Sequence, residues 1–291
     1  MDEFPLIDTT DHEILMHRDA HFSGSFPIML SYYEEEGKGV QPEFEIKRIK
    51  ELLLIEEQSE KNLSEIFLDE DEREQIASSK EKYHYLRNLC EKGSGMPVCL
   101  ADLILSEEID PEEEIGALVK YGSNAVPLLI DLLSQDAFYN PLFPGYGLAP
   151  GAAAICLGKI KDPTAIPALY EALGRSDFFT EDTILEALQK IGEPAKEFLL
   201  RSLSKEPFSK DNENAAIALL SFPIDEPLSE KFLEVLVRPG AQTRPHFISY
   251  LILGCEALKD PKLRELFKTH TKELPSKDAR EQALLIARSW T

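Results

Sequence analysis

A unit recurs along the second half of the chain: an apolar stretch, a glycine-centred turn, a proline, then a second apolar stretch. It reads ALVKYGSNAVPLLIDLL over 117–133, AAICLGKIKDPTAIPALYEAL over 153–173 and TILEALQKIGEPAKEFLLRSL over 183–203. The central glycines, Gly122, Gly158 and Gly192, stand 36 and then 34 residues apart. A period of this size implies stacked helix pairs, because one pair cannot bury its apolar face alone and needs the next pair to cover it. The expected fold is therefore all-α, with each unit sheltering its neighbour.

The same order extends in both directions. Downstream, Lys259-Asp260-Pro261 repeats Lys161-Asp162-Pro163 at a distance of 98 residues, about three periods. Between them, residues 215–236 supply a helix pair in which Phe222-Pro223 replaces the glycine turn. An amphipathic stretch over 278–290 has the look of half a unit. Upstream, residues 82–91, Gly93 to Gly95 and residues 97–106 repeat the helix, glycine, proline, helix order. This gives about six pairs from about Ser79 onward. Residues 1–78 do not repeat. They hold one clear helix over 44–54, with Ile46, Ile49, Leu52 and Leu53 on one face, and a second over 63–68 that ends in the acid-rich run Asp69 to Glu74. Two regions are expected: an acidic helical cap over 1–78 and a repeat array over 79–291.

Proline lacks an amide hydrogen and is harmless only in the first turn of a helix, whereas glycine readily takes the left-handed conformation that ends one. Pro127, Pro167 and Pro194 are thus read as starts of second helices, and Gly122, Gly158 and Gly192 as ends of first helices. Ile166, Leu169, Tyr170 and Leu173 keep the spacing that aims one stripe at the next unit.

The core L-G-x-I-x-D-P-x-A-I-P-x-L, carried by Leu157, Gly158, Ile160, Asp162, Pro163, Ala165, Ile166, Pro167 and Leu169, resembles the short bacterial HEAT-like repeats also found in phycobilisome lyases. The resemblance covers roughly 79–291 and is sharpest in this one unit. It implies a right-handed α-solenoid of about six helix pairs, with the Asp carboxylate capping or tying neighbouring repeats. It brings no catalytic residues.

The chain carries 53 acidic against 31 basic side chains, net −22. The excess is uneven: residues 1–120 hold 30 acids and 12 bases, residues 121–291 hold 23 and 19. Such a surface repels phosphate backbones, which argues against nucleic acid as a direct partner. The acidic runs at 34–36, 56–60, 69–74 and 107–114 are solvated faces that also favour a basic partner. Cys90, Cys99, Cys156 and Cys255 lie far apart with no C-x-x-C pair, as expected of a cytoplasmic protein with reduced thiols. The first residues, MDEFPLIDTTDHE, lack the features of a signal peptide, and no apolar run is long enough to span a membrane.

Two segments invite a chemical reading. Residues 137–151, AFYNPLFPGYGLAPG, form a long aromatic loop where other connections are short. Phe138, Tyr139, Phe143 and Tyr146 could anchor a protein partner, or could fold back onto the helices or the N-terminal region. His12, His17 and His21 with Asp8, Asp11, Glu13 and Asp19 form the one histidine and carboxylate cluster. A helix would put His17 and His21 on one face, as two metal ligands require, but Gly24, Pro27 and the terminal position favour a solvated arm. No metal or cofactor is expected. Di-iron hydroxylases of HEAT-like build carry several His-Glu pairs; this chain has only His12-Glu13, outside the repeats. No nucleophile elbow, P-loop or dinucleotide fingerprint is present. The expected function is a non-catalytic scaffold or adaptor that binds another protein. The alternatives are an accessory resembling the chromophore lyases and a self-assembly module.

Overall fold

The computed structural model describes residues 8–36, 44–108, 110–175 and 178–290. Among these residues the regular elements are all helices, with no strand. The chain packs as two compact units, Met1–Cys156 and Leu157–Thr291.

In the first unit, α1 (Thr9–His21), α2 (Phe26–Ser31), α3 (Ile46–Ser59) and α4 (Leu63–Phe67) precede the repeats. A π-helical turn over Tyr32–Glu36 extends α2. The long α5 (Glu70–Lys92) runs unbroken through residue 78, where the repeat pattern begins. Its start is set by Asp69, which accepts the Glu72 amide while Glu72 accepts the Asp69 amide, and by three acids facing the positive end of the helix dipole. α5 packs on α6 (Met96–Leu105), α6 on α7 (Glu112–Val119), and α1 lies along α5. A 3₁₀ turn over Gly122–Asn124, with Gly122 at φ +54°, leads into α8 (Val126–Ser134). The core of this region is Ile14, Leu15, Phe26, Met29, Ile49 and Leu52, joined by Leu142 from the aromatic loop.

α1 corrects one expectation. Residues 9–21 are not a solvated arm: Ile14 and Leu15 are fully buried, and so is Arg18. A charged side chain is tolerated in a core only when its donors are satisfied. Arg18 meets that condition. Nε donates to Asp19 Oδ1 (2.8 Å), Nη1 to Glu56 Oε2 (2.7 Å) and Nη2 to Ser64 Oγ (2.8 Å) and Asn62 Oδ1 (3.2 Å). The guanidinium also lies 4.5 Å from the centre of the Phe26 ring.

α9 (Ala149–Ile160) crosses the limit between the units. The second unit continues with α10 (Ile166–Ala172), α11 (Phe178–Ile191), α12 (Glu193–Leu203), α13 (Lys210–Leu220), α14 (Glu226–Leu236), α15 (Pro245–Gly254), α16 (Pro261–Lys272) and α17 (Lys277–Ser289). Among the described residues twelve helices run from α5 to α16 in chain order, the number that six pairs require, and α17 follows them. Within the second unit, α11, α13, α15 and α17 lie side by side in order, and α14 lies beside α16. This is the layering of an α-solenoid, in which apolar faces such as Leu188, Leu199, Leu219, Phe232 and Leu251 are buried between successive units. The Phe222-Pro223 connection joins α13 to α14, with Phe222 buried and Asp225 capping α14.

The glycines divide into two roles. Gly192, at φ +86°, ends α11 as expected. Gly158 does not end α9 but lies buried inside it; the left-handed residue that stops this helix is Lys161, at φ +62°. A side-chain carbon on Gly158 would stand 2.8 Å from the Ala187 Cα of α11, so the absent side chain lets two helices meet closely.

Candidate functional site

The aromatic loop, residues 135–148, begins with a 3₁₀ turn over Asp136–Tyr139 and is tied down at several points. The Tyr139 hydroxyl donates to the Leu133 carbonyl (2.8 Å), and the Leu142 amide donates to Asn140 Oδ1 (2.9 Å). The Leu142 carbonyl accepts from the Ser79 hydroxyl (2.6 Å) and pairs with His21 Nε2 (3.1 Å). The loop is thereby fastened to both α1 and α5. Its tight return needs Gly145 at φ +83°, where a side-chain carbon would lie 1.8 Å from the Ile104 carbonyl oxygen.

The four aromatics part company. Tyr146, itself left-handed at φ +53°, turns inward and is only 8% exposed. Its ring sits 5.0 Å from His21 and 6.1 Å from His17. Burial and the nearby Glu107 carboxylate hold its hydroxyl well above the ordinary tyrosine range. Phe138 and Phe143 meet edge to face at 5.0 Å and, with Tyr139, stay half-buried at the loop surface. The loop therefore leaves Phe138 and Phe143 half-exposed, ties the half-buried Tyr139 back to Leu133, and uses Leu142 and Tyr146 as roots.

The histidines also separate. His12 Nδ1 pairs with Glu72 on α5 at 2.9 Å. His17 and His21 stack at 5.4 Å, and the Phe44 ring meets His17 at 5.3 Å. Burial pushes His17 down to about 3, with the neighbouring His21 adding to the effect, and pushes His21 down to about 4. Both rings are neutral near pH 7. His17 Nδ1 is buried with no hydrogen-bond partner. Asp11 bonds in turn to Arg48 Nε and Nη2, each at 2.6 Å, and to the Asp8 amide. Among the described residues no three His, Cys, Asp or Glu side chains converge as metal ligands. The i, i+4 spacing of His17 and His21 was visible in the sequence; the burial of His17 was not.

Acidic side chains gather around Glu108, Asp110, Glu112, Glu113 and Glu114, at and before the start of α7. Cys156 and Cys255 are buried and Cys90 and Cys99 half-buried, all four as free thiols. No helix among the described residues is long and apolar enough to cross a membrane.

The family model for HEAT repeats matches residues 149–220, the stretch from the first residue of α9 to the last of α13. The matched stretch is built of HEAT-like repeats. No curated protein matches it. Within its HEAT-like stretch the Asp-Pro signature acts locally: Asp162 Oδ1 accepts from the Thr164 amide (3.0 Å) and hydroxyl (2.8 Å), capping the turn into α10. A second fastening lies at Asn212, where one buried amide nitrogen donates to the carbonyls of Ser202, Leu203 and Lys205 at 2.9, 3.1 and 2.8 Å. The Leu203 and Lys205 carbonyls lie at and just past the end of α12, and the Ser202 carbonyl also accepts from the Lys205 amide (3.3 Å), so Asn212 helps to finish one HEAT-like helix while starting the next.

Proposed function

We propose that this HEAT-like protein is a non-catalytic scaffold or adaptor, acting in the cytoplasm, that binds another protein on its solenoid surface through the aromatic loop. HEAT repeats generally mediate protein–protein interaction. The observation that carries the reading is the contrast within the loop. Leu142 and Tyr146 root it in the core, and the Phe138–Phe143 pair remains half-exposed on that rigid base. Aromatic anchors held in place before binding lose little entropy on docking and are favoured at interface hot spots. The carboxylates around 107–114 add attraction for a basic partner.

The test is affinity capture with the wild-type chain beside a Phe138→Ala, Phe143→Ala double variant. A partner captured by the wild type should be lost from the variant while its helical circular dichroism is unchanged. An unchanged set of partners would return the loop to a packing role.

A further inference from the structure

The α16–α17 pair differs in charge from the rest of the chain. Residues 261–289 hold seven bases and four acids, net +3, in a protein of net −22. Between the two helices runs a groove of about 590 Å³ with a mainly apolar floor that includes Ala283, Leu284 and Ala287. Lys268 and Lys272 from α16, and Lys277, Arg280 and Arg288 from α17, stand around it; Glu281, paired with Lys277 at 3.4 Å, is the one carboxylate in the lining. The Arg280 guanidinium donates to the Leu274 and Pro275 carbonyls, neutral acceptors that leave its charge uncompensated.

Earlier helices of this layer have their apolar stripes covered: Leu219 on α13 and Leu251 on α15 are fully buried. On α17, by contrast, Leu284 is 52% and Leu285 64% exposed. We propose that this groove binds an acidic amphipathic α-helix of a partner protein, with apolar residues at i, i+3, i+4 and i+7 against Leu284 and Ala287 and carboxylates against the lysine and arginine rim. The argument is charge complementarity joined to shape. A cleft between two helices accepts side-chain anchors from a third, whereas a membrane surface needs a protruding apolar face. The proposal rests on the scaffold reading and names a second surface for it, of opposite sign to the acidic one in the first unit.

The probe is a fluorescein-labelled 18-residue synthetic helix with leucines at the helical spacing and glutamates elsewhere, titrated with the full chain and followed by anisotropy. A second peptide carries glutamine in place of every glutamate. Saturable binding of the acidic peptide is expected, about tenfold weaker for the glutamine peptide and about tenfold weaker for Leu284→Glu protein. Leu284 is half-exposed, so this variant should keep wild-type circular dichroism. A Lys272→Glu, Lys277→Glu variant should lose most of the salt dependence of binding. Equal binding of the two peptides, or unaltered binding by a folded Leu284→Glu variant, overturns the proposal. So does co-sedimentation with phosphatidylserine vesicles in the absence of peptide binding, which points to lipid. Concentration-dependent dimers that Leu284→Glu abolishes and the acidic peptide does not displace would assign the groove to a second copy, also against it. The loop and the groove fail separately: absent peptide binding with partner loss in the Phe138, Phe143 variant removes only the groove.

Discussion

Gly158 on α9 and Ala187 on α11 meet backbone to backbone: a side-chain carbon placed on Gly158 would lie 2.8 Å from the Ala187 Cα and 3.0 Å from its Cβ. Neither atom can swing aside, so Gly158→Ala must push two helices apart, at a cost of about 1–3 kcal/mol in chemical denaturation. Gly116→Ala, inside α7 with nothing within 4 Å of the new carbon, should instead stabilise by about 0.5–1 kcal/mol. Lys161→Gly should also stabilise slightly, since Lys161 holds the left-handed position that glycine favours. A Gly158→Ala variant as stable as wild type would show that the contact carries no constraint.

Arg18 is the charged centre of the N-terminal core. Replacing it with Leu leaves Glu56 and Asp19 without their fork, and a cost of about 3–5 kcal/mol is expected in urea unfolding of the first unit. Arg18→Lys should also destabilise, because one ammonium cannot reach the two carboxylates, Asn62 and Ser64 together.

The stacked histidines make stability depend on pH. Both have folded values below the ordinary 6.5, so the unfolded chain binds more protons in that interval. Their contribution is complete above about pH 6.5 and is lost progressively as pH falls toward about 4 for His21 and about 3 for His17. The melting temperature should fall across this range. His17→Phe removes the orphaned Nδ1 and fits among Phe44, His21 and Tyr146, so it should flatten the profile and raise the melting temperature at pH 5. A variant with the wild-type pH profile would place the titrating groups elsewhere.

Asn212 satisfies three carbonyls with one amide nitrogen. Asn212→Ala removes the donor from the Leu203 and Lys205 carbonyls near the α12–α13 junction, while the Ser202 carbonyl keeps the Lys205 amide, and should cost about 1–3 kcal/mol. Amide hydrogen exchange should rise first at the end of α12 and the start of α13. Uniform exchange across the unit would mean that the junction is no weaker than its surroundings.

The run of helices from α5 through α16, the proline starts and the Asp-Pro cap at Asp162 were legible in residue order, because each is a local matter of period, missing amide hydrogens or a carboxylate within reach of the next amides. Three features were not. α1 carries a weak apolar stripe because its buried face includes Asp11, His17 and Arg18, and the burial of Asp11 and Arg18 relies on groups 37 to 46 positions away. Gly158 has the spacing of a turn glycine, but Ala187, on another helix, makes it a contact. Tyr146 looks like its loop neighbours until Leu142 and His21 draw it inward. Periodicity records what a segment does to itself; burial of charge, helix approach and the direction of a loop ring depend on partners that arrive only when distant segments pack.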